Sequence, residues 1–491
     1  MNRHALLKQA LLFLCVCVAA CGGGGGGASK SGNSGLLPPV PATTPTVPPG
    51  TLAGGDDWTT YAHDEQRTST ELQPTAIQKS TLSNLQLLWV YHSTAAFEAS
   101  PIVVNGVVYA VDMNGKVLAL DAASGTLKWS KQLDDSNETK MTPALYDGTL
   151  FVGSMQTDAN DTNYSITALD PMTGNQLWSQ PLPGGVHGSP VAVGGTLYVP
   201  VTLGDDGFCR TGGVYTFDEK TGSRGMSWST DPKALGDGGG IWSSLTYYGT
   251  SIFFGSGNTC VRSTNQANAI VSMSAALTTN WAYQTAPPLE DLDVGGTVLA
   301  ANGAAYGIGK NGTLYALSLQ SGGLLWSRYL GAPIGAGGFS TPTIAGQTLI
   351  VGGGYVHDPD TYTGIPGGTL YGLTLGGSVK WKRSMNYADL GYAAVTNDVA
   401  FAAIDQSIAA LDPGTGQTLW QYPTVGYHYA SPVVAPSGLF DADESGRIYA
   451  FNIPGSTTGS IRRTSLSRSQ IAGMQPSQHL AYHRPPKYCK L

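Results

Sequence analysis

The sequence predicts an all-β fold, an eight-bladed β-propeller with tryptophan-docking repeats. Three observations carry this: an eleven-residue figure that recurs, eight tryptophans at one phase of it, and an N-terminal strand that supplies what the last copy lacks. The figure is clearest from Ala119 to Trp129 (ALDAASGTLKW) and returns from Ala168 to Trp178 (ALDPMTGNQLW) and from Ala410 to Trp420 (ALDPGTGQTLW). Looser copies end at Trp228, Trp281, Trp326 and Trp381. Each reads as a strand end, a tight turn and a new strand. Asp121 can bond nearby backbone, Gly125 accepts positive φ, and Leu127 with Trp129 opens the next strand.

Such a hairpin cannot bury its own apolar face, so neighbouring copies must stack as a solenoid or a ring. The spacing from Trp89 through Trp420, 39 to 55 residues per step, is that of a four-stranded blade. Eight blade entries follow, near Ser100, Thr142, Ser189, Ser243, Gly296, Thr341, Ala393 and Ser431. The last copy stops after Arg447–Asn452 with no tryptophan behind it, whereas Leu85–His92 has the tryptophan strand without the three before it. Pairing these two would close the ring and remove two sheet edges. Each docked indole would bury something like 200 Å², a gross gain of about 5 kcal/mol before entropy is subtracted.

The rest of the chain divides by composition. Residues 1–20 have the layout of a signal peptide, with Arg3 and Lys8 before an apolar run too short to span a membrane. The following Val18-Ala19-Ala20-Cys21 resembles a bacterial lipobox, which implies a lipidated Cys21 and a lipid anchor in the envelope, outer membrane facing periplasm. Residues 21–55, rich in Gly, Pro, Ser and Thr, read as a flexible tether, 56–454 as the propeller, and 455–491 as a basic disordered tail. Residues 22–452 hold all 33 acids and 18 of the 26 bases, a net of −15, while 453–491 carry six bases and no acid. An acidic body argues against a nucleic-acid partner. A closed ring needs no second copy, so the propeller is expected to be monomeric.

Within a blade the first-to-second and third-to-fourth turns share one face, and these are short here, as at Asn105-Gly106 and Ser124-Gly125. The second-to-third loops and the links between blades share the other face. They are long and polar, as at 155–165, 204–213, 257–268, 353–368 and 287–296, and function is expected there. His187, His357 and His428 fall on that face without metal-ligand spacing and read as ordinary loop residues.

The figure Ala-x-Asp-x-x-Thr-Gly-x-x-x-Trp resembles the repeat of the pyrroloquinoline quinone (PQQ) propeller superfamily, from Trp58 to about Pro454. The segment from Asp57 to Asp64 (DWTTYAHD) resembles the one that precedes the first blade there. That superfamily includes quinoprotein and polyvinyl alcohol dehydrogenases and the non-enzymatic β-barrel assembly scaffold lipoprotein. By resemblance to the dehydrogenases, Trp242 would stack under PQQ and Asn258 would ligate Ca²⁺. Asp293, or Asp291 beside it, would be the catalytic base, and Lys310 would contact the quinone oxygens. The metal-binding Glu of those enzymes is missing; only Asp205 or Asp206 could replace it. Their adjacent-cysteine pair is also missing, and no Cys-x-x-Cys-His occurs, so no built-in c-type haem is expected. Cys209 and Cys260 occupy the same loop in consecutive blades, and in an oxidising compartment they are expected to pair as a disulfide.

Two functions follow from the sequence. One is a tethered envelope propeller that binds a ligand or protein partner without turnover. The other is a PQQ-dependent alcohol dehydrogenase that oxidises a small alcohol and passes electrons to a separate acceptor.

Overall fold

A computed structural model describes residues 57–455 apart from 74, 134–138, 156–163, 203–211, 231–238, 260–263, 332–339, 354–355, 358–363, 366–367 and 387–390. The chain folds as eight antiparallel four-stranded blades in a ring. The first blade runs Ile102–Val104, Val107–Val111, Lys116–Asp121 and Leu127–Gln132, and its order repeats through blade seven, which ends at Thr418–Pro423. Burial follows position. Inner strands such as Ile102–Val104 and Ala144–Tyr146 are wholly buried, while outer strands such as Leu127–Gln132 and Leu324–Tyr329 are largely exposed.

Blade eight is built from both ends of the ring, as its missing fourth strand required. Gln86–His92 pairs antiparallel with Arg447–Asn452, with Trp89 opposite Ala450 and Val90 opposite Tyr449. The inner strand of blade eight, Val433–Ala435, then lies beside that of blade one.

The tryptophans fix one blade to the next by a repeated contact. Six indole N–H groups donate to a carbonyl in the next blade's outer turn: Trp89 to Ala122 (3.0 Å), Trp129 to Pro171 (2.9 Å), Trp178 to Glu219 (3.1 Å), Trp281 to Leu319 (3.1 Å), Trp326 to Leu375 (3.0 Å) and Trp381 to Pro413 (2.9 Å). The turn glycine lies flat on the ring; a Cβ at Gly174 would sit 2.6 Å from Trp129. Trp228 departs from the pattern where the next turn, Ala275-Ala276-Leu277, has Leu277 at positive φ in place of the turn glycine. Its N–H goes to Thr279 Oγ1 instead (3.2 Å).

Small hydroxyl residues at the blade entries form a belt around the axis. The Ser100 N–H donates to Thr142 Oγ1, Ser189 N–H to Ser244 Oγ, Ser244 N–H to Thr297 Oγ1, and Ser431 N–H to Ser100 Oγ, all at 2.8–3.0 Å. These bonds satisfy backbone donors that no strand can reach so close to the axis.

Residues 57–71 cross the shaft as a plug. Trp58 pairs with Val103 of blade one, and Thr70–Glu71 runs parallel to Val395–Thr396 of blade seven. Between them, the Thr59 carbonyl accepts from Leu145 N–H and that of Glu65 from Tyr247 N–H, both at 2.7 Å. Arg67 pins the crossing. Its fully buried guanidinium donates to the carbonyls of Leu245 (2.8 Å), Tyr61 (2.8 Å) and Pro190 (3.0 Å), and to Thr60 Oγ1 (2.9 Å). Because Val104 and Thr396 are the last residues of their inner strands, beside the short turns, the plug closes the shaft toward that face. Among the described residues no helix is long and apolar enough to cross a membrane.

Candidate functional site

On the long-loop face, the links before blades four and five come together around Asn258. The Gly239 N–H donates to the Asn258 carbonyl (2.7 Å), and Gly257 N–H to the Gly240 carbonyl (2.8 Å). Two residues on, Trp242 stands half-buried, held from behind by Ser243, whose hydroxyl bridges to Gly255 N–H (2.9 Å) and carbonyl (3.2 Å). Its indole meets the His187 ring edge-on at 5.5 Å, and His187 Nδ1 donates to the Trp242 carbonyl (3.2 Å).

Asp293 is the centre of the site. One carboxylate oxygen accepts the Asn258 backbone N–H (2.8 Å) and the other accepts from the Lys310 ammonium (2.8 Å). Lys310 also donates to Asp291 (2.6 Å), and its own N–H donates to the Asp293 carbonyl (2.8 Å). Asp293 and Lys310 are buried, whereas the Asp291 side chain is 55% exposed. Burial lifts the Asp293 carboxyl above its ordinary range, and Asp291 adds to the lift against the pull of Lys310. Burial alone would lower Lys310, but the charges of Asp293 and Asp291 outweigh it and hold the amine above its usual range.

Four of the sequence-predicted residues, Asn258, Asp291, Asp293 and Lys310, are thus in one hydrogen-bonded unit, with Trp242 on the adjoining link. Asp205, Asp206, Cys209, Cys260, Cys21 and the tail beyond residue 455 lie outside the described residues.

A calcium ion takes six to eight oxygens. Here both oxygens of Asp293 are engaged, and an ammonium sits between the two carboxylates. Among the described residues no group of three or more Asp, Glu, His or Cys side chains could hold a metal. The described donor set does not fit a divalent cation.

His428 is not the ordinary loop residue the sequence suggests. Its side chain is 1% exposed, with Nδ1 3.0 Å from Asp441 Oδ2 and Nε2 2.7 Å from Thr424 Oγ1. Burial alone would lower its pKa, but Asp441 and Asp443 outweigh this and raise it. Nearby, burial and the Glu98 carboxylate push Glu444 up to about 7. The sequence hid these groups because partners such as His428 and Asp441 come from different strands and links of the last blade. Arg67 carried no signal either, although the repeated Ser-Pro and Thr-Pro entries foreshadow the hydroxyl belt.

Two family models match the chain. One, described as outer membrane protein assembly factor BamB, covers residues 139–356 and 261–482. The other, described as the β-propeller domain of glucose/ethanol/alcohol dehydrogenases, covers 58–148. The chain belongs to the PQQ-repeat propeller family. It is 30% identical over 141 residues to a 1-butanol dehydrogenase (cytochrome c) of Thauera butanivorans, covering 26% of this chain and 19% of that protein. It is 24% identical over 502 residues to quinohemoprotein alcohol dehydrogenase ADH IIB of Pseudomonas putida, covering 82% of this chain and 69% of that one. The crystal structure of the Comamonas testosteroni quinohemoprotein alcohol dehydrogenase superposes with a TM-score of 0.68 at 18% identity, covering 84% and 82% of the two chains, which is likeness of fold. The chain spans about a fifth of the first of these relatives. Since relatives are named for haem or cytochrome, the comparisons give no support to the expectation that haem plays no part.

Proposed function

We propose that this chain is an envelope protein, lipid-anchored through Cys21, whose propeller binds a ligand or protein partner through its long-loop face without turning it over. The observation that carries the reading is the closed Asp291–Lys310–Asp293 unit. An ammonium held between two carboxylates already neutralises much of the charge that would draw a divalent cation, and it leaves Asp293 engaged on both oxygens. The plug reinforces it, because it closes the shaft toward the short turns and leaves the long-loop face as the other end. The match to an outer-membrane assembly factor supports an envelope location and a protein partner. Photo-crosslinkers placed at His187, Asp291 and Thr424 in cells should capture one discrete envelope protein. Failure to crosslink from this face, with capture only from the outer strands, would reject it.

The second reading, a PQQ-dependent alcohol dehydrogenase, draws on the convergence of Asn258, Asp293 and Lys310 beside Trp242 and on the likeness to ADH IIB. In it Asp293 or Asp291 would take the alcohol proton, Trp242 and Lys310 would contact the quinone, and Asn258 with Asp206 would face the metal. Reduction of an artificial dye by a small alcohol in the presence of PQQ and Ca²⁺, lost in Asp293→Asn, would establish it.

A further inference from the structure

The link between blades four and five carries both carboxylates of the candidate site, and it has to be held without strand pairing. It lies between the outer strand Thr279–Gln284 and the inner strand Leu299–Ala301. Near its start comes Ala286-Pro287-Pro288, and two successive prolines supply no N–H. At the prolines, hydrogen bonds can hold the chain only through its carbonyls.

The donors come from the second-to-third loop of blade four, above all from Asn268. This residue is 0% exposed and stands just ahead of the strand Ala269–Ser274. Its side-chain amide donates to the carbonyls of Pro287 (2.7 Å) and Glu290 (2.6 Å). Its own carbonyl accepts from Thr285 twice, from the N–H and from Oγ1, both at 2.8 Å. Earlier in the same loop, Thr259 gives its N–H (2.8 Å) and its hydroxyl (3.1 Å) to the Pro288 carbonyl, and the Ser256 carbonyl accepts from Val294 N–H (3.1 Å). One loop thus grips the link on both sides of Asp291 and Asp293.

Asparagine suits this place for two reasons. Its φ is +47°, a left-handed backbone that asparagine adopts more readily than most side chains. Its amide nitrogen carries two hydrogens on a short stem, one for each carbonyl, whereas a carboxylate of the same shape can only accept. The two carbonyls are brought within its reach by the turn in which Glu290 N–H donates to the Pro287 carbonyl (3.2 Å). Both amide bonds go to backbone, so Asn268 acts on the carboxylates through the chain that bears them.

We propose that Asn268 is a positioning residue of the candidate site. By clamping the link at Thr285, Pro287 and Glu290 it sets Asp291 and Asp293 where a single ammonium, that of Lys310, meets both (2.6 and 2.8 Å). Lys310 comes from the second-to-third loop of blade five, so the clamp and the ammonium reach the link from opposite blades. The role is the same under either reading of the site's function.

Trace acylation of the full chain with acetic anhydride, read by mass spectrometry of the peptide that carries Lys310, tests this. In the wild type Lys310 should label slowly beside Lys220, whose side chain is 58% exposed and serves as the internal reference. Asn268→Gly keeps the left-handed φ and the carbonyl for Thr285 but removes both amide bonds. It should raise the Lys310 to Lys220 labelling ratio at least about five-fold, the effect of losing one net hydrogen bond on local opening. Gly174→Ala, which strains the ring elsewhere, should leave the ratio unchanged. Should Asn268→Gly fail to fold, as judged by circular dichroism, Thr285→Val, which loses only the hydroxyl bond to the Asn268 carbonyl, should raise the ratio by a smaller factor. The proposal is overturned if the folded variant labels Lys310 as slowly as the wild type, or if Gly174→Ala raises the ratio equally. Labelling reads the clamp whether or not the long-loop face binds a partner, so its failure is distinct from a failure to crosslink.

Discussion

Lys310 holds two carboxylates with one ammonium, and removing it leaves the buried Asp293 uncompensated. Lys310→Met should therefore destabilise the ring by about 3–5 kcal/mol, the cost of breaking a buried pair. Asp291→Asn, which removes only the exposed partner, should cost less than about 1 kcal/mol. Urea unfolding of the two variants checks the difference; equal costs would mean that Asp293 is stabilised by something other than Lys310. A pH prediction belongs at the same scale. Glu444, faced by Glu98, Asp443, His428 and Lys140, binds its proton more tightly folded than unfolded, so stability falls as pH rises from the ordinary carboxylate range to about 7. His428, faced by Asp441 and Asp443, is also raised; its contribution is full below the ordinary histidine value and is lost as pH climbs through the folded one. Both act in one direction. Stability should decline by order 1–3 kcal/mol between pH 5 and about 7, and Glu444→Gln should flatten the curve. A stability that rises over that interval would contradict the burial of both groups. Asp293, Asn258 and Lys310 were singled out in sequence by the resemblance of their segments to those of the dehydrogenases, and the structure brings them together. Glu444 was not, since Glu98 and Lys140 are brought to it by the closure of the ring, and His428 was not, since Asp441 and Asp443 come from another strand of the same blade.

The tryptophan-docking turn is the element that assembles the molecule, and comparing its Gly174 with Gly106 of the first-to-second turn separates two costs that sequence alone cannot. Gly106 has φ +72° with open space around it, so Gly106→Ala should pay only the left-handed backbone penalty, about 1 kcal/mol. Gly174 has the same φ, but its Cβ would meet the Trp129 ring at 2.6 Å. Gly174→Ala should add about 1–3 kcal/mol of overpacking to the same backbone term. Thermal unfolding of the pair measures the difference, and similar losses would mean that the indole yields freely. The seven-fold recurrence of this turn is why strand order was readable from sequence. The plug was not, because a segment that crosses a shaft has neither the twofold nor the 3.6-fold period that marks regular elements; only its resemblance to family sequences set it apart.

At the scale of the whole ring, closure rests on Gln86–His92 pairing with Arg447–Asn452. Deleting residues 57–92 should expose the edge of blade eight and open the shaft, giving a non-cooperative transition or aggregation, whereas deletion of 1–55 should leave the melting temperature within a few degrees. Calorimetry of the two truncations distinguishes them, and a cooperative transition in the first would mean that the ring closes without its clasp. Closure also sets the character of the two faces: the plug seals the shaft toward the short turns and leaves the Asp293–Lys310 unit and Trp242 at the mouth. One titration decides whether this face is a binding surface or a metal-and-quinone centre. Purified protein is titrated with PQQ and Ca²⁺ while tryptophan fluorescence is followed. No saturable quenching is expected at micromolar PQQ, in the wild type or in Lys310→Met. Saturable quenching that requires Ca²⁺ and disappears in Asp293→Asn would contradict it.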